Sequence, residues 1–200
     1  MTSFAVNWDY RCPFARNVHE HLVTALQAGG DDQPWDVDFR AFSLDQTHVE
    51  EGEPSVWEVP DRYPALLANE IGIVVRDKMP ERFLEVHRAM FAARHDLALD
   101  TRKRPVLDQV LGELGIDPAP IWKEIDDGWP LETFRREHEE ATAIDTFGVP
   151  TFFLGGKATF VRLLDRPGGD AAKAKATIGR IVDLLGWPEL NEFKYTQLPM

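Results

Sequence analysis

The chain has 200 residues, of which 34 are acidic and 22 basic, giving a formal charge of -12 at pH 7. That length allows one domain, or one domain carrying an insertion, and excludes a long multidomain array. Hydrophobic residues make up 44%, with 12 Phe and 6 Trp, enough to bury a sizeable core and to exclude a disordered chain. The acidic balance would repel nucleic acid and anionic lipid, so neither is an expected partner. Met1 to Asp9 lacks a basic and apolar leader, and no apolar run approaches the roughly 18 residues of a membrane span, so the expected location is cytoplasmic.

Ser3 to Tyr10 sets Phe4, Val6, Trp8 and Tyr10 against Ala5, Asn7 and Asp9, the period of two of a strand with two unlike faces. From Pro13 the spacing of Phe14, Val18, Leu22, Ala25 and Leu26 predicts a helix, opened by the proline and stopped at Gly29-Gly30. Trp35 to Leu44 is again strand-like. Asp45 to Pro60, acidic and proline-containing, reads as a loop, and helical spacing then dominates until about Phe147. Within it Phe83, Val86 and Met90, then Val106, Leu107, Val110, Leu111 and Leu114, then Leu131, Phe134 and Ala141 mark helix faces. Thr151 to Leu154 and Ala158 to Leu164 about Gly155-Gly156 predict a hairpin. Asp170 is placed to cap a last helix carrying Ile178, Ile181, Val182 and Leu185 and ending at Gly186, with Phe193 and Tyr195 as anchors of the tail. The order strand, helix, strand, helical block, hairpin, helix is an α/β arrangement.

Cys12 is the single cysteine, so no intrachain disulfide staples the fold and any role of that sulfur is as a thiol. It stands between a predicted strand and a predicted helix. The positive end of the helix and its free N–H groups favour a thiolate there, which predicts a lowered pKa and a nucleophile. The competing reading is a small buried filler, the usual fate of a free cysteine.

Trp8-Asp9-Tyr10-Arg11-Cys12-Pro13-Phe14-Ala15 resembles the active-site turn of the DsbA-like branch of the thioredoxin superfamily. Phe147-Gly148-Val149-Pro150-Thr151-Phe152 is similar to the segment in which that branch places a cis-proline beside the reactive cysteine. The resemblance spans the chain. It implies a thioredoxin-like fold from 1–59 and 146–200 with a helical insertion at 60–145, in the manner of DsbA and glutathione transferase kappa. The stretch from Arg166-Pro167-Gly168-Gly169 through Pro188-Glu189-Leu190-Asn191-Glu192-Phe193-Lys194 resembles actinobacterial cytosolic members, including mycothiol-dependent nitroreductases.

Where dithiol relatives carry Cys-Pro-x-Cys, this chain has Cys-Pro-Phe-Ala, and Ala15 cannot resolve a mixed disulfide. The resemblance therefore implies a cytosolic thiol-disulfide oxidoreductase with Cys12 as its nucleophile. Pro13, Phe14, Ala15, Val149 and Pro150 would frame the substrate, a small thiol or disulfide, and no cofactor would be tightly bound. A low-molecular-weight thiol, mycothiol or glutathione, would be the cosubstrate, and a homodimer is open. Two alternatives stand beside it. One is a kappa-like transferase or isomerase that activates a bound thiol; the other is a non-catalytic thioredoxin-fold binding module.

Other signals are ambiguous or weak. Asp9 reads either as a buried proton relay or as a solvated strand residue. Arg11 and Arg16 would favour the Cys12 thiolate if they point inward. Arg162, Arg166 and Gly168-Gly169 form either an anion cradle or a plain solvated turn. Trp57, Trp122 and Trp129 read as core rather than as pocket walls. His19 and His21 point to different helix faces, His87 and His95 lack a carboxylate set, and His138-Glu139-Glu140-Ala141-Thr142 lacks a second histidine, so no metal site is expected. Gly155-Gly156-Lys157-Ala158 fails as a phosphate loop.

Overall fold

The first strand, β1 (Thr2–Trp8), is buried from Phe4 onward on both faces, Asn7 included, rather than showing the two unlike faces its alternation predicts. Its place in the sheet explains this. The structure, a computed structural model describing residues 1–29, 34–190 and 192, has a four-stranded sheet in which β1 lies inside. The order is β2 (Trp35–Ala41), β1, β3 (Thr151–Leu154), β4 (Lys157–Phe160), with β2 parallel to β1, β3 antiparallel to β1 and β4 antiparallel to β3. A parallel neighbour needs a crossover, and α1 (Pro13–Gly29) provides it. Val18 and Leu22 on its buried face are each fully covered, contributing about 1.5–3 kcal/mol apiece.

β2 stops at Ala41, three residues short of the predicted end at Leu44. Its partner β1 ends at Trp8, opposite Ala41. Phe42 N–H still reaches Trp8 O at 2.9 Å, and beyond it side chains take the backbone donors: Ser43 N–H goes to His138 Nδ1 at 3.2 Å and Leu44 N–H to Asp9 Oδ2 at 2.9 Å. β4 likewise ends at Phe160 rather than Leu164 because β3 begins at Thr151, its last partner in the register.

Five helices lie between β2 and β3: α2 (Leu66–Lys78), α3 (Pro80–His95), α4 (Arg104–Glu113), α5 (Pro118–Asp126) and α6 (Trp129–Thr142). The helical stretch ends at Thr142, earlier than about Phe147; Thr146 N–H closes the last turn on Ala141 O, and Asp145 adopts a positive φ of 60°. The block is stitched to the outer edge of β2. Arg76 of α2 donates to Phe39 O at 2.8 Å, and Glu137 of α6 accepts from Ala41 N–H at 2.6 Å, while the two side chains pair at 2.7 Å. An edge strand whose ladder groups would face solvent is thus closed by side chains. Gly72 lets α2 approach the sheet closely, since a Cβ there would meet the Tyr10 hydroxyl at 2.6 Å.

The last helix, α7 (Ala171–Leu185), packs on α1, is capped by Asp170 accepting from Lys173 N–H, and ends at Gly186. Gly30, Phe193 and Tyr195 lie outside the described residues. Among the described residues, no helix is long and apolar enough to cross a membrane.

Candidate active site

The turn after β1 delivers Cys12 to the start of α1. Cys12 N–H donates to Asp9 O at 3.0 Å, closing the turn, and Arg16 N–H donates to Cys12 O at 3.0 Å, beginning the helix ladder. Cys12 is therefore the residue that caps α1. Its sulfur does the work an oxygen does in ordinary caps, accepting Ala15 N–H at 3.4 Å. Pro13 follows where its missing N–H costs nothing.

The second half of the site comes from the loop before β3. The Val149-Pro150 peptide is cis, and Cys12 Sγ lies 3.3 Å from Val149 O, so the thiol donates to that carbonyl. Cys12 and Val149 are 7% and 2% exposed, and Pro150 is buried. Pro13 is exposed, Phe14 half-buried, and Ala15 fully covered, so no second sulfur stands in reach of the first. All six residues singled out from the sequence meet here.

The expected lowering of the thiol pKa is not what this arrangement gives. Burial pushes the Cys12 thiol up, and the Asp9 carboxylate pushes the same way. The N–H groups of Ala15 and Phe14 and the Arg162 guanidinium pull it down, but burial outweighs them. The helix start acts as predicted; the desolvation of a sulfur 7% exposed is what the sequence could not convey. The buried sulfur is hydrogen-bonded on both sides, donating to Val149 O and accepting from Ala15 N–H.

Asp9 is buried, which removes the solvated reading. Its carboxylate accepts from Arg11 N–H and Leu44 N–H, each at 2.9 Å, and from Asn69 Nδ2 at 3.4 Å. Burial raises its pKa and these bonds lower it, burial being the largest effect. Arg11 pairs with Asp45, and Arg16 with Asp96 and Glu20, so neither is free to face the sulfur. Arg166 is likewise tied to Glu20 and Asp96. Arg162 alone of the arginines weighed from the sequence stands over the site, its guanidinium 4.3 Å from the centre of the Phe14 ring. Phe147, 70% exposed and two residues before Val149, packs its ring against Phe160 at 5.2 Å and leaves an apolar surface beside the proline loop.

Asn7 is the site residue that sequence reasoning missed. Its amide accepts from Thr151 N–H at 2.6 Å and donates to Gly148 O at 3.2 Å, clamping both ends of the Val149-Pro150 segment to β1. The signal was present: an amide in the middle of an apolar alternation, on a strand whose second face turns out to be buried. Three further groups were overlooked as a set. Asn7 O accepts His19 Nε2 at 2.9 Å, His19 Nδ1 meets His87 Nε2 at 2.9 Å, and His87 Nδ1 meets the Tyr10 hydroxyl at 2.8 Å. Since Asn7 O can only accept, the donors run one way, from Tyr10 through His87 and His19 to Asn7. Both rings are neutral: burial holds His19 at about 4 and His87 well below its ordinary value. All four ring nitrogens are occupied, which leaves none for a metal. Trp57 and Trp122 sit in aromatic and polar packing within the helical block, and Trp129 donates to Glu124.

The model of the DSBA-like thioredoxin domain matches residues 6–167. The uncharacterised protein Rv2286c of the actinobacterium Mycobacterium tuberculosis is 26% identical over 200 residues, covering 100% of this chain and 84% of that protein. Among solved structures, a 2-hydroxychromene-2-carboxylate isomerase has a TM-score of 0.61 at 16% identity, over 90% of this chain and 95% of that one. The cytosolic disulfide reductase DsbM of Pseudomonas aeruginosa, solved with glutathione, has a TM-score of 0.61 at 12% identity, over 90% and 99%. At such identities the two structures speak for the fold alone, an α/β thioredoxin-like architecture with added helices. With the family model running from within β1 through Pro150 to Pro167, and the sulfur lying against the proline loop, the chain belongs to the DSBA-like thioredoxin domain family.

Proposed function

We propose that this protein is a one-cysteine thiol-disulfide oxidoreductase acting in the cytoplasm, with Cys12 as nucleophile and mycothiol or glutathione as the external thiol. The observation that carries the reading is the placement of Cys12 Sγ 3.3 Å from Val149 O and 3.4 Å from Ala15 N, a sulfur held between a helix start and the backbone of the proline loop. Pro13, Phe14 and Ala15 form the first of these walls, and Val149 and Pro150 the second.

In the resting state the Cys12 thiol keeps its proton and donates it in a hydrogen bond to Val149 O. A substrate whose backbone N–H takes that carbonyl, in the manner of an added strand, removes the acceptor that favours the protonated form. The thiol proton is then released to water, and the Ala15 and Phe14 N–H groups hold the thiolate. The thiolate attacks one sulfur of a disulfide; the Cys12–S bond forms as the old S–S bond breaks, and the departing thiolate carries off the electron pair and takes up a proton. Ala15 supplies no resolving thiol, so a second external thiolate attacks the mixed disulfide and releases Cys12. The net change is exchange between an external thiol and an external disulfide. Neither external oxidant nor metal enters the balance.

The raised thiol pKa favours a second reading, in which the groove binds a thiol whose own sulfur reacts and Cys12 is never modified. Incubation with oxidised glutathione followed by intact mass separates the two. A glutathione adduct on the wild type, absent from Cys12→Ser and removed by reduced glutathione, is expected. An unmodified protein whose exchange activity survives Cys12→Ser would overturn the one-cysteine scheme in favour of the bound-thiol reading. Binding without exchange would leave a non-catalytic module.

A further inference from the structure

We infer that Arg162 selects anionic substrates for Cys12: the groove takes disulfides or electrophiles that carry a carboxylate close to the reacting atom. The inference rests on the reading of Cys12 as a nucleophile and specifies what reaches it.

Three observations place the guanidinium. Val161 N–H donates to Pro150 O at 3.0 Å, extending the pairing of the hairpin onto the proline loop. Leu163 O accepts from Asn17 Nδ2 of α1 at 2.9 Å. The backbone of Arg162 is thus fixed on both sides, between the two walls of the site, and its side chain lies 4.3 Å over the ring of Phe14, two residues from the sulfur. Stacking on the ring holds the cation without neutralising it. Among the described residues no carboxylate pairs with Arg162, whereas Arg11, Arg16 and Arg166 are each committed to acids. The charge is also felt at the sulfur, where it favours the thiolate.

A carboxylated substrate approaching this chain meets a net charge of -12, which lowers its local concentration and its rate of encounter. An unpaired cation at the mouth of the groove offsets that repulsion where it matters. The apolar pair Phe147 and Phe160 beside the proline loop would receive the uncharged part of the molecule. Of the two external thiols proposed above, glutathione carries such carboxylates.

The test uses iodoacetate and iodoacetamide, which alkylate the same thiolate and differ in one negative charge. Rates are measured at pH 9 by intact mass, and their ratio cancels any change in the thiolate fraction. Arg162→Gln is expected to lower the iodoacetate-to-iodoacetamide ratio about threefold to fivefold, and Arg162→Glu about tenfold, with the difference shrinking in high salt. Arg162→Lys should restore the wild-type ratio, and Arg40→Gln, an equal charge change on the far edge of the sheet, should leave it alone. Oxidised glutathione against 2-hydroxyethyl disulfide should follow the same order. If both reagents modify Cys12 but the ratio is the same in Arg162→Gln, Arg162 does not select, while Cys12 stands as nucleophile. If neither reagent modifies Cys12 in the folded protein, the nucleophile reading itself fails.

Discussion

Two groups of buried ionisable side chains meet around β1, and they differ in what is left unused. In the Tyr10, His87, His19 row every donor has an acceptor, both ring nitrogens of each histidine are engaged, and the aromatic rings of Phe83 and Phe91 enclose it. Around Cys12 the sulfur has two modest hydrogen bonds, with the exposed Pro13 beside it and the exposed Phe147 two residues from Val149. Burial and shifted titration are common to both. Spare bonding capacity beside exposed residues, Pro13 and Phe147, belongs to one, and that distinguishes a candidate reactive centre from a structural polar network.

Asn7 joins the two, since its amide serves the proline loop and its carbonyl ends the histidine row. Asn7→Ala orphans the Thr151 N–H and should cost about 2–3 kcal/mol, read as a lower urea midpoint. An unchanged midpoint would show that water replaces the clamp. His87→Phe strips His19 of a donor and the Tyr10 hydroxyl of its acceptor, for an expected loss of about 1–3 kcal/mol. If the comparison is right, this variant leaves Cys12 alkylation within about twofold of wild type after allowance for unfolded protein.

The pH dependence sharpens the contrast. His19, held at about 4 against an ordinary 6.5, is neutral when folded and charged in the unfolded chain between those values. The unfolded state binds more protons there, so this stability is complete above 6.5 and is lost as pH falls toward 4. Glu70 of α2 acts with opposite sign: burial raises it to about 7, so its contribution is present below 4.5 and lost as pH rises through 7. Urea midpoints from pH 7 to 5 should therefore fall more steeply in Glu70→Gln than in the wild type, and that variant should be the more stable at pH 8. Equal slopes would mean that the Glu70 carboxyl is ionised at neutral pH. The smallest effect concerns Cys12 alone, whose iodoacetamide rate should climb with pH through the ordinary thiol range without a plateau near neutrality. A plateau at pH 7 would restore the thiolate that the helix start by itself predicts.

The elements that the sequence made legible are those written in local chemistry. Pro13 opening α1, Asp170 capping α7, and the Gly155-Gly156 turn of the hairpin need no knowledge of distant neighbours. The meeting of Cys12 with Val149 and Pro150, 137 residues apart, was accessible only because both segments resemble a known family. What stayed hidden depended on which groups share a burial site: the desolvation that reverses the thiol shift, the far face of β1 that makes Asn7 a clamp, and the pairing of His19 with His87 across 68 residues. The ends of β2 and β4 were overextended for the same reason, because their last backbone donors are claimed by Asp9, His138 and Pro150 rather than by anything in the strands themselves.

The seam between Arg76, Glu137 and the margin of β2 has a mechanical corollary. Because the added helices hold main-chain atoms of the sheet directly, they cannot swing outward as a hinged flap without stripping Phe39 and Ala41 of their partners. Deuterium uptake at Ala41 should therefore track loosening of α2 and α6 together, so that the two halves of the molecule open as one cooperative unit.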